Sequence, residues 1–407
     1  MRGSASISSG SLTGRFTLVV PTYNRPVELS RLLAYLARQR AGFPVLVLDS
    51  SEPATQEANA AAAGRLDCNI SLKRFDPQIS PWEKFWRGSE LVDTEYCSLC
   101  ADDDLVMLES LARLVAFLRE HPDHSVAHGR YFTFYLNSHV GITRSIHCGM
   151  SLDRDDPVER LLAMFRNYEA VTYGVYRTPV MRAVLRDVQG VDSLLARELL
   201  GGALTVVHGK AARLPFFYYG RSHLPSHSYL RWHPLDFLVS SPDGLYRDYT
   251  AYRNILLAGF RSVGYEKHSG SDLATLIDLI HLRYLADYVK PGVMDYLTEE
   301  MMAGTPRSKI MQGLWSVQAR ENEQSLAGML SGSVFLRRIR DRFFPKIRLH
   351  HLQRLSAPTA QRTVHATTSS GRPREYLFYQ EFLGALTDHS MREKEMEAII
   401  AALNHYE

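Results

Sequence analysis

Short, continuous apolar runs alternate with apolar stripes at helical spacing over the first part of the chain. FTLVVP (Phe16–Pro21) has the pattern of a strand buried on both faces. Leu29, Leu32, Leu33 and Leu36 follow as one helical stripe, and Pro26 suits that helix's first turn. PVLVLDSS (Pro44–Ser51) predicts a second buried strand, QEANAAAAG a short helix closed by Gly64, and NISLKRF a third strand. PWEKFWRGSELV (Pro81–Val92) predicts a helix opened by Pro81, and EYCSLCA (Glu95–Ala101) a fourth strand. Leu108, Leu111, Val115 and Leu118 then predict an amphipathic helix that stops near His121. This alternation predicts an α/β layer with a mostly parallel sheet.

After Asp123 the pattern loosens. SVAHGRYFTFYL, VTYGVYR and ARLPFFYYGR (Ala212–Arg221) read as strands, and TPVMRAVLRDV and Asp192–Val207 as helices. From about Leu235 the chain reads as helical, most clearly in DLATLIDLIHLRYLADYV. Ser356–Arg374 is rich in Ser, Thr and Pro and predicts a loop or linker. The predicted organisation is a flexible leader over 1–14, an α/β domain over 15–232, a helical region over 233–355, a linker over 356–374 and a C-terminal helix over 375–407.

Composition narrows the class. The 407 residues are 45% hydrophobic, enough for sizeable cores, and the net charge of +3 implies no nucleic-acid partner. Cys68, Cys97, Cys100 and Cys148 are too few for a disulfide framework in a chain this long, which points to a reducing, cytoplasmic setting. Cys97 and Cys100 form a C-x-x-C without a partner pair, inside a predicted strand, and read as core packing. No apolar run approaches the roughly 20 residues of a membrane span, and the start lacks the apolar region of a secretory signal.

Three predicted strand ends carry polar clusters, PTYNR, DSS and DDD, and ligands of parallel sheets gather at such ends. Three successive carboxylates, Asp102, Asp103 and Asp104, need solvent or a cation. A solvated acidic turn is one reading. A prenyl-diphosphate site is a second, although its paired aspartates sit on a helix and these follow a strand. A divalent cation bridging to a diphosphate is the third, since Mg²⁺ and Mn²⁺ take carboxylate and phosphate oxygens. The β-α-β-α-β-α-β context favours the third.

LVVPTYNRP, VLVLDSS, WRGSELVDTEY and EYCSLCADDDLV together resemble the family 2 glycosyltransferases, over roughly Phe16 to Trp232. The resemblance implies a GT-A fold, a Rossmann-like nucleotide-sugar domain, and a metal-assisted, inverting transfer of a sugar from a nucleotide-diphosphate sugar. A UDP-sugar is the expected donor, and a glycan, lipid-linked molecule, small molecule or protein the acceptor. Pro21, Thr22, Tyr23 and Arg25 would line the nucleotide pocket, and Asp49 would accept from base or ribose. Asp102 and Asp104 match the D-x-D that holds Mn²⁺ or Mg²⁺, with Asp103 able to serve instead of either. Lys84, Arg87 and Arg221 would add positive charge near the diphosphate. In RELLGGALTVVHGKAARLPFFYYGR, Glu198 stands where the family places its catalytic base, ahead of Gly209 and an aromatic strand. Leu199 replaces the family's usual second acid, and Asp192 is the rival base, or a helix cap. His223, one of a group with His208, His227 and His233, is placed to be a third metal ligand.

VFLRRIRDRFFPKIRLHHLQRL (334–355) is basic and studded with apolar residues. A packed helix with a solvated basic face accounts for it, as does peripheral contact with the inner face of a membrane. The helical C-terminal region would shape an acceptor site or a homodimer contact. A sugar nucleotidyltransferase is an alternative, but its glycine-rich phosphate loop is replaced here by PTYNRP. A non-catalytic binding scaffold of the same fold is the other.

Overall fold

The computed structural model describes residues 12–136, 140–145, 151–166, 168, 170–222, 242–286, 290–306, scattered positions from 309 to 320, and 362–367, 373–378 and 389–406. The chain divides into two compact units. One comprises Met1–Leu224, Ile255–Lys267 and Gln361–Glu407, and the other Pro225–Asn254 and His268–Ala360.

The first unit begins with β1 (Phe16–Thr22), α1 (Pro26–Arg38), β2 (Val45–Asp49), α2 (Pro53–Ala63), β3 (Ile70–Arg74), α3 (Pro81–Ser89) and β4 (Tyr96–Leu99). β2 and β4 are buried along their whole length, as their unbroken apolar runs require when helices cover both sheet faces. Proline stands in the first turn of α1, α2 and α3, where its fixed φ suits the helix and no N–H is needed. Leu29, Leu32, Leu33 and Leu36 form the buried face of α1. α2 ends at Gly64 as predicted, but Gly64 is right-handed (φ −67°), so its left-handed freedom goes unused.

The sheet has nine strands in the order β3-β2-β1-β4-β8-β6-β9-β5, with β7 pairing β6. Its β3-β2-β1-β4 half is parallel. The other half is mixed, built from β5 (Leu105–Val106), β6 (His124–Leu136), β7 (Val140–Ser145), β8 (Val175–Arg177) and β9 (Lys210–Ser222). β4 pairs β8, β8 pairs β6, and β9 pairs β5, all antiparallel, whereas β6 and β9 run parallel. Around this half lie α4 (Leu108–Glu120), α5 (Pro157–Arg166), α6 (Thr178–Asp187) and α7 (Leu194–His208). Periodicity missed β5, β7 and α5. Two residues cannot show an alternation, so β5 is invisible locally. In VTYGVYR only the last three residues form a strand.

Gly209, between α7 and β9, is extended; a Cβ there would come within 2.8 Å of the Ser125 nitrogen, so the two backbones need the glycine to meet. Cys97 is buried against the Met181 sulfur at 3.4 Å, and Cys100 is buried in the core.

α8 (Pro242–Ser262) runs through both units, and the second unit contains α9 (Gly270–Ala286) and α10 (Pro291–Met302). Val293, Leu297, Ile310, Leu314 and Val317 form an apolar cluster in it. On α9, His281 is buried and sits 2.8 Å from the Tyr252 hydroxyl. No described helix is long and apolar enough to cross a membrane.

The late part of the chain departs from the sequence reading. β10 (Arg362–Thr367) pairs antiparallel with β11 (Pro373–Phe378) where a linker was expected. The last helix, α11 (His389–Tyr406), starts well after residue 375 and belongs to the first unit, with Ile399, Leu403 and Tyr406 fully buried in its core. The basic segment 334–355 lies outside the described residues.

Candidate active site

The carboxyl ends of β1, β2 and β4 meet, as a parallel arrangement dictates. Thr22 ends β1, Asp49 ends β2, and the aspartates follow β4. Asn24 adopts the left-handed region (φ 53°), which asparagine tolerates better than most residues. Its N–H donates to Ser51 Oγ at 2.8 Å, and its Oδ1 accepts from the Glu52 N–H at 2.9 Å, tying the two strand ends together. Lys84 from α3 is buried and donates to the Thr22 carbonyl and to Ser50 Oγ, both at 2.8 Å. Burial pushes its ammonium down to about 8. Lys84 is thus a strut between strand ends, where the sequence reading expected a cation turned to a diphosphate. Arg87 is a surface cation paired with Glu83 at 2.6 Å.

Asp49 is fully buried and spends both oxygens close by. Oδ1 accepts from the Ser51 N–H and Oδ2 from Asn59 Nδ2, each at 2.9 Å. This is the turn-capping role of aspartate, with the carboxylate facing protein. Pro21 is half-buried, and Tyr23 is exposed at the mouth of the β1 turn.

Asp102, Asp103 and Asp104 are all buried, at 4%, 3% and 4% exposure, which excludes the solvated acidic turn. Asp102 accepts from Thr22 Oγ1 at 2.7 Å and from Arg25 Nη1 at 3.3 Å. The same Arg25 nitrogen lies 3.3 Å from Asp103 Oδ2, which is buried and accepts no hydrogen bond. Asp104 turns toward β9, where its Oδ2 accepts from the Tyr219 hydroxyl at 2.6 Å and its Oδ1 from the Ser222 N–H at 2.7 Å. Asp102 and Asp103 therefore share one cation, whereas Asp104 anchors a strand.

Burial pushes Asp102 up to about 6, with the Asp103 charge adding to it and the Thr22 hydrogen bond opposing it. Burial and the Asp103 charge push Asp104 up to about 8. Like charges about 5 Å apart at an effective dielectric near 20 repel by roughly 3 kcal/mol. Arg25 pairs with Asp102 and Asp103, while the charges of Lys84 and Arg221 act on Asp102 and Asp104.

Glu198 lies on α7, half-buried. Burial raises its carboxyl, against the Arg221 charge and a hydrogen bond from Tyr168. Arg221, exposed at the end of β9, also feels Asp104, so one guanidinium couples Glu198 to the aspartates. Tyr173, half-buried, is raised by burial first and then by Asp104 and Glu198. Asp192 is exposed and does not cap the helix, because Ser193 does, accepting from the Ala196 N–H. His223 lies outside the described residues. Sequence reasoning missed Asn24, Tyr219, Ser222 and Tyr173. The only trace of the tyrosines was their apolar periodicity, which reads as core.

Among the described residues, His121, Asp123 and His124 bring three metal-ligating atoms within 4.8 Å of one another. They sit where β6 begins, opposite the end at which Phe134 pairs Ser222. Lys210 Nζ already occupies Asp123 Oδ2 at 2.8 Å, and His124 Nδ1 lies 2.9 Å from Asp123 Oδ1.

Residues 17–189 match the family model "Glycosyl transferase family 2". No curated protein matches the chain. Similar solved structures include S. aureus TarS 1-349 in complex with UDP-GlcNAc, 18% identical, covering 67% of this chain and 73% of that one, with a TM-score of 0.47. TarS 1-349 without that ligand is 16% identical, covering 67% and 72%, with a TM-score of 0.44. The mannosyltransferase PcManGT from Pyrobaculum calidifontis, in complex with GDP-Man and Mn²⁺, is 14% identical, covering 82% and 88%, with a TM-score of 0.41. The part of the chain that bears the strand-end aspartates on the mixed α/β sheet is thus the part that matches the glycosyl transferase family 2 model.

Proposed function

We propose that the chain transfers a sugar from a nucleotide-diphosphate sugar to an acceptor hydroxyl, with inversion and with the help of Mn²⁺ or Mg²⁺. The observation that carries this reading is the buried turn of three successive aspartates, in which Asp103 Oδ2 accepts no hydrogen bond. Its oxygens are the hard donors that such cations take, so the residues present fit the metal. Asp102 and Asp103, which share Arg25, would hold it, and Asp104 keeps their turn attached to β9. The cation supplies charge neutralisation where the diphosphate departs. Glu198 accepts the proton of the attacking hydroxyl at its carboxylate, a reading supported by the Arg221 charge that acts on both Glu198 and Asp104. Asn24, Lys84 and Ser51 keep the β1 and β2 ends rigid where a nucleotide would lie.

Titration calorimetry with UDP and with GDP, in Mn²⁺ and in EDTA, tests the reading. One nucleotide should bind in Mn²⁺ and weaken at least about tenfold in EDTA. Equal affinity in both conditions for both nucleotides overturns it.

A further inference from the structure

α11 reaches the aspartate turn from 303 residues further along the chain. Its Tyr406 is fully buried, and the hydroxyl donates to the main-chain carbonyl of Asp103 at 2.8 Å. The ring is fixed on three sides. It meets Tyr35 edge-on at 5.6 Å and Phe134 at 5.4 Å, and Arg31 lies over its face at 5.1 Å. Tyr35 holds the turn a few residues further on, donating to the Val106 carbonyl at 2.7 Å. Two tyrosines in edge-to-face contact thus fasten the backbone on which the three carboxylates are mounted. The helix is locked by Ile399 and Leu403 in the core and by Arg38 of α1, whose guanidinium donates to the His405 carbonyl.

Such fastening has a chemical purpose here. A turn of buried like charges relaxes by swinging its carboxylates apart, and a cation is bound well only by oxygens already held together. Asp102 and Asp104 each have side-chain anchors. Asp103 Oδ2 accepts no hydrogen bond and meets only the Arg25 guanidinium it shares with Asp102, at 3.3 Å, so the hold on its main chain is the directional one.

We propose that Tyr406 is a positioning residue for the cation site: it touches no reacting atom, and it sets the Asp103 carboxylate by holding that residue's carbonyl. This rests on the metal-assisted reading above. The geometry further assigns α11 a role in the site that its place in the sequence does not suggest.

Tyr406→Phe removes the hydroxyl and keeps the ring, so packing against Tyr35 and Phe134 is retained. Ile399→Ala loosens the same helix without touching the turn. The two variants and the unaltered chain are compared by thermal melting and by calorimetric titration of the nucleotide in saturating and limiting Mn²⁺, at a temperature where circular dichroism shows all three folded. Tyr406→Phe should weaken Mn²⁺-dependent binding about fivefold, the usual worth of one buried hydrogen bond, with a smaller fall in melting temperature than Ile399→Ala. Ile399→Ala should lower the melting temperature and leave the affinity unchanged. Unchanged affinity in Tyr406→Phe overturns the proposal, as does an equal loss in Ile399→Ala, which would mean that the helix matters only for stability. An unaltered chain that binds nucleotide equally with and without Mn²⁺ overturns the proposed function, and this inference with it. A metal-dependent unaltered chain with an unaffected Tyr406→Phe overturns this inference alone.

Discussion

Two strand-end acids of this sheet are equally buried and differently employed. Asp49, after β2, is satisfied by Ser51 and Asn59, two and ten residues away. The aspartates after β4 are satisfied by Thr22, Tyr219 and Ser222, 80, 115 and 118 residues away. A carboxylate that closes its own turn serves that turn. Carboxylates gathered by residues from β1 and β9 are held against their mutual repulsion by the whole fold, at a cost that a plain turn does not require. The same contrast separates Glu198, which feels Arg221 on β9, from the exposed Asp192, whose charge acts on Arg197 five residues on.

The largest effect should come from the second of these pairs. Glu198→Gln keeps the shape and removes the proton acceptor, and kcat should fall by about 10²–10⁴-fold with donor binding retained. Asp192→Asn should leave kcat nearly unchanged. Steady-state kinetics on both, once an acceptor is found, reads this, and a reversed order would break the contrast between distant and local partners.

The first pair gives the next largest effect. Asp102→Asn should weaken Mn²⁺-dependent nucleotide binding more than about tenfold. Asp49→Asn turns an amide toward the Asn59 amide and should cost about 1–2 kcal/mol of stability, with metal-dependent binding intact. Denaturant melts and calorimetry on the two variants separate these outcomes. If Asp49→Asn proves as damaging to binding as Asp102→Asn, Asp49 has a ligand role that its hydrogen bonds conceal.

Glu395 on α11 sharpens the comparison, since its partners are also distant but it is far from the turn in role. Burial pushes its carboxyl up to about 7, against the opposing effects of Arg130 and the Phe217 N–H. A carboxyl raised in the folded state stabilises below its unfolded pKa and loses that contribution as pH climbs through the folded value. Thermal melts from about pH 5 to about pH 8 should therefore show the native chain losing ground to Glu395→Gln by a few degrees at most. Parallel curves would show that the carboxyl is already hydrated. Nucleotide binding should be untouched, since distant partners mark a site only where carboxylates converge.

The parallel half of the sheet was legible because β1, β2 and β4 are mostly apolar runs, β3 alternates, and each helix carries a proline or a stripe. Its mixed half was only partly so, because β5 is two residues long and is made a strand by pairing with Tyr219 and Gly220 of β9. The aspartate turn was legible as chemistry, but its division of labour was not. Nothing in ADDDLV shows that Asp104 bonds to β9 and that Asp103 Oδ2 accepts no hydrogen bond. Lys84 misled because lysine is seldom buried, and only the fold shows that two acceptors wait for it. Tyr406 left no trace at all, since a contact across 303 residues has no local signature.

That long contact also sets an order of events during synthesis. The parallel strands and their helices emerge early and can pair before the rest of the chain is made, since β1 to β4 all lie between Phe16 and Leu99. The aspartate turn can form with them, but its tyrosine clamp cannot close until residue 406 has been made and a loop of 303 residues has been shut. Until then the groove that receives Ile399, Leu403 and Tyr406 stands open as bare apolar surface. A chain cut short before His389 would carry that surface permanently, and would be a ready client for chaperones and a seed for aggregation.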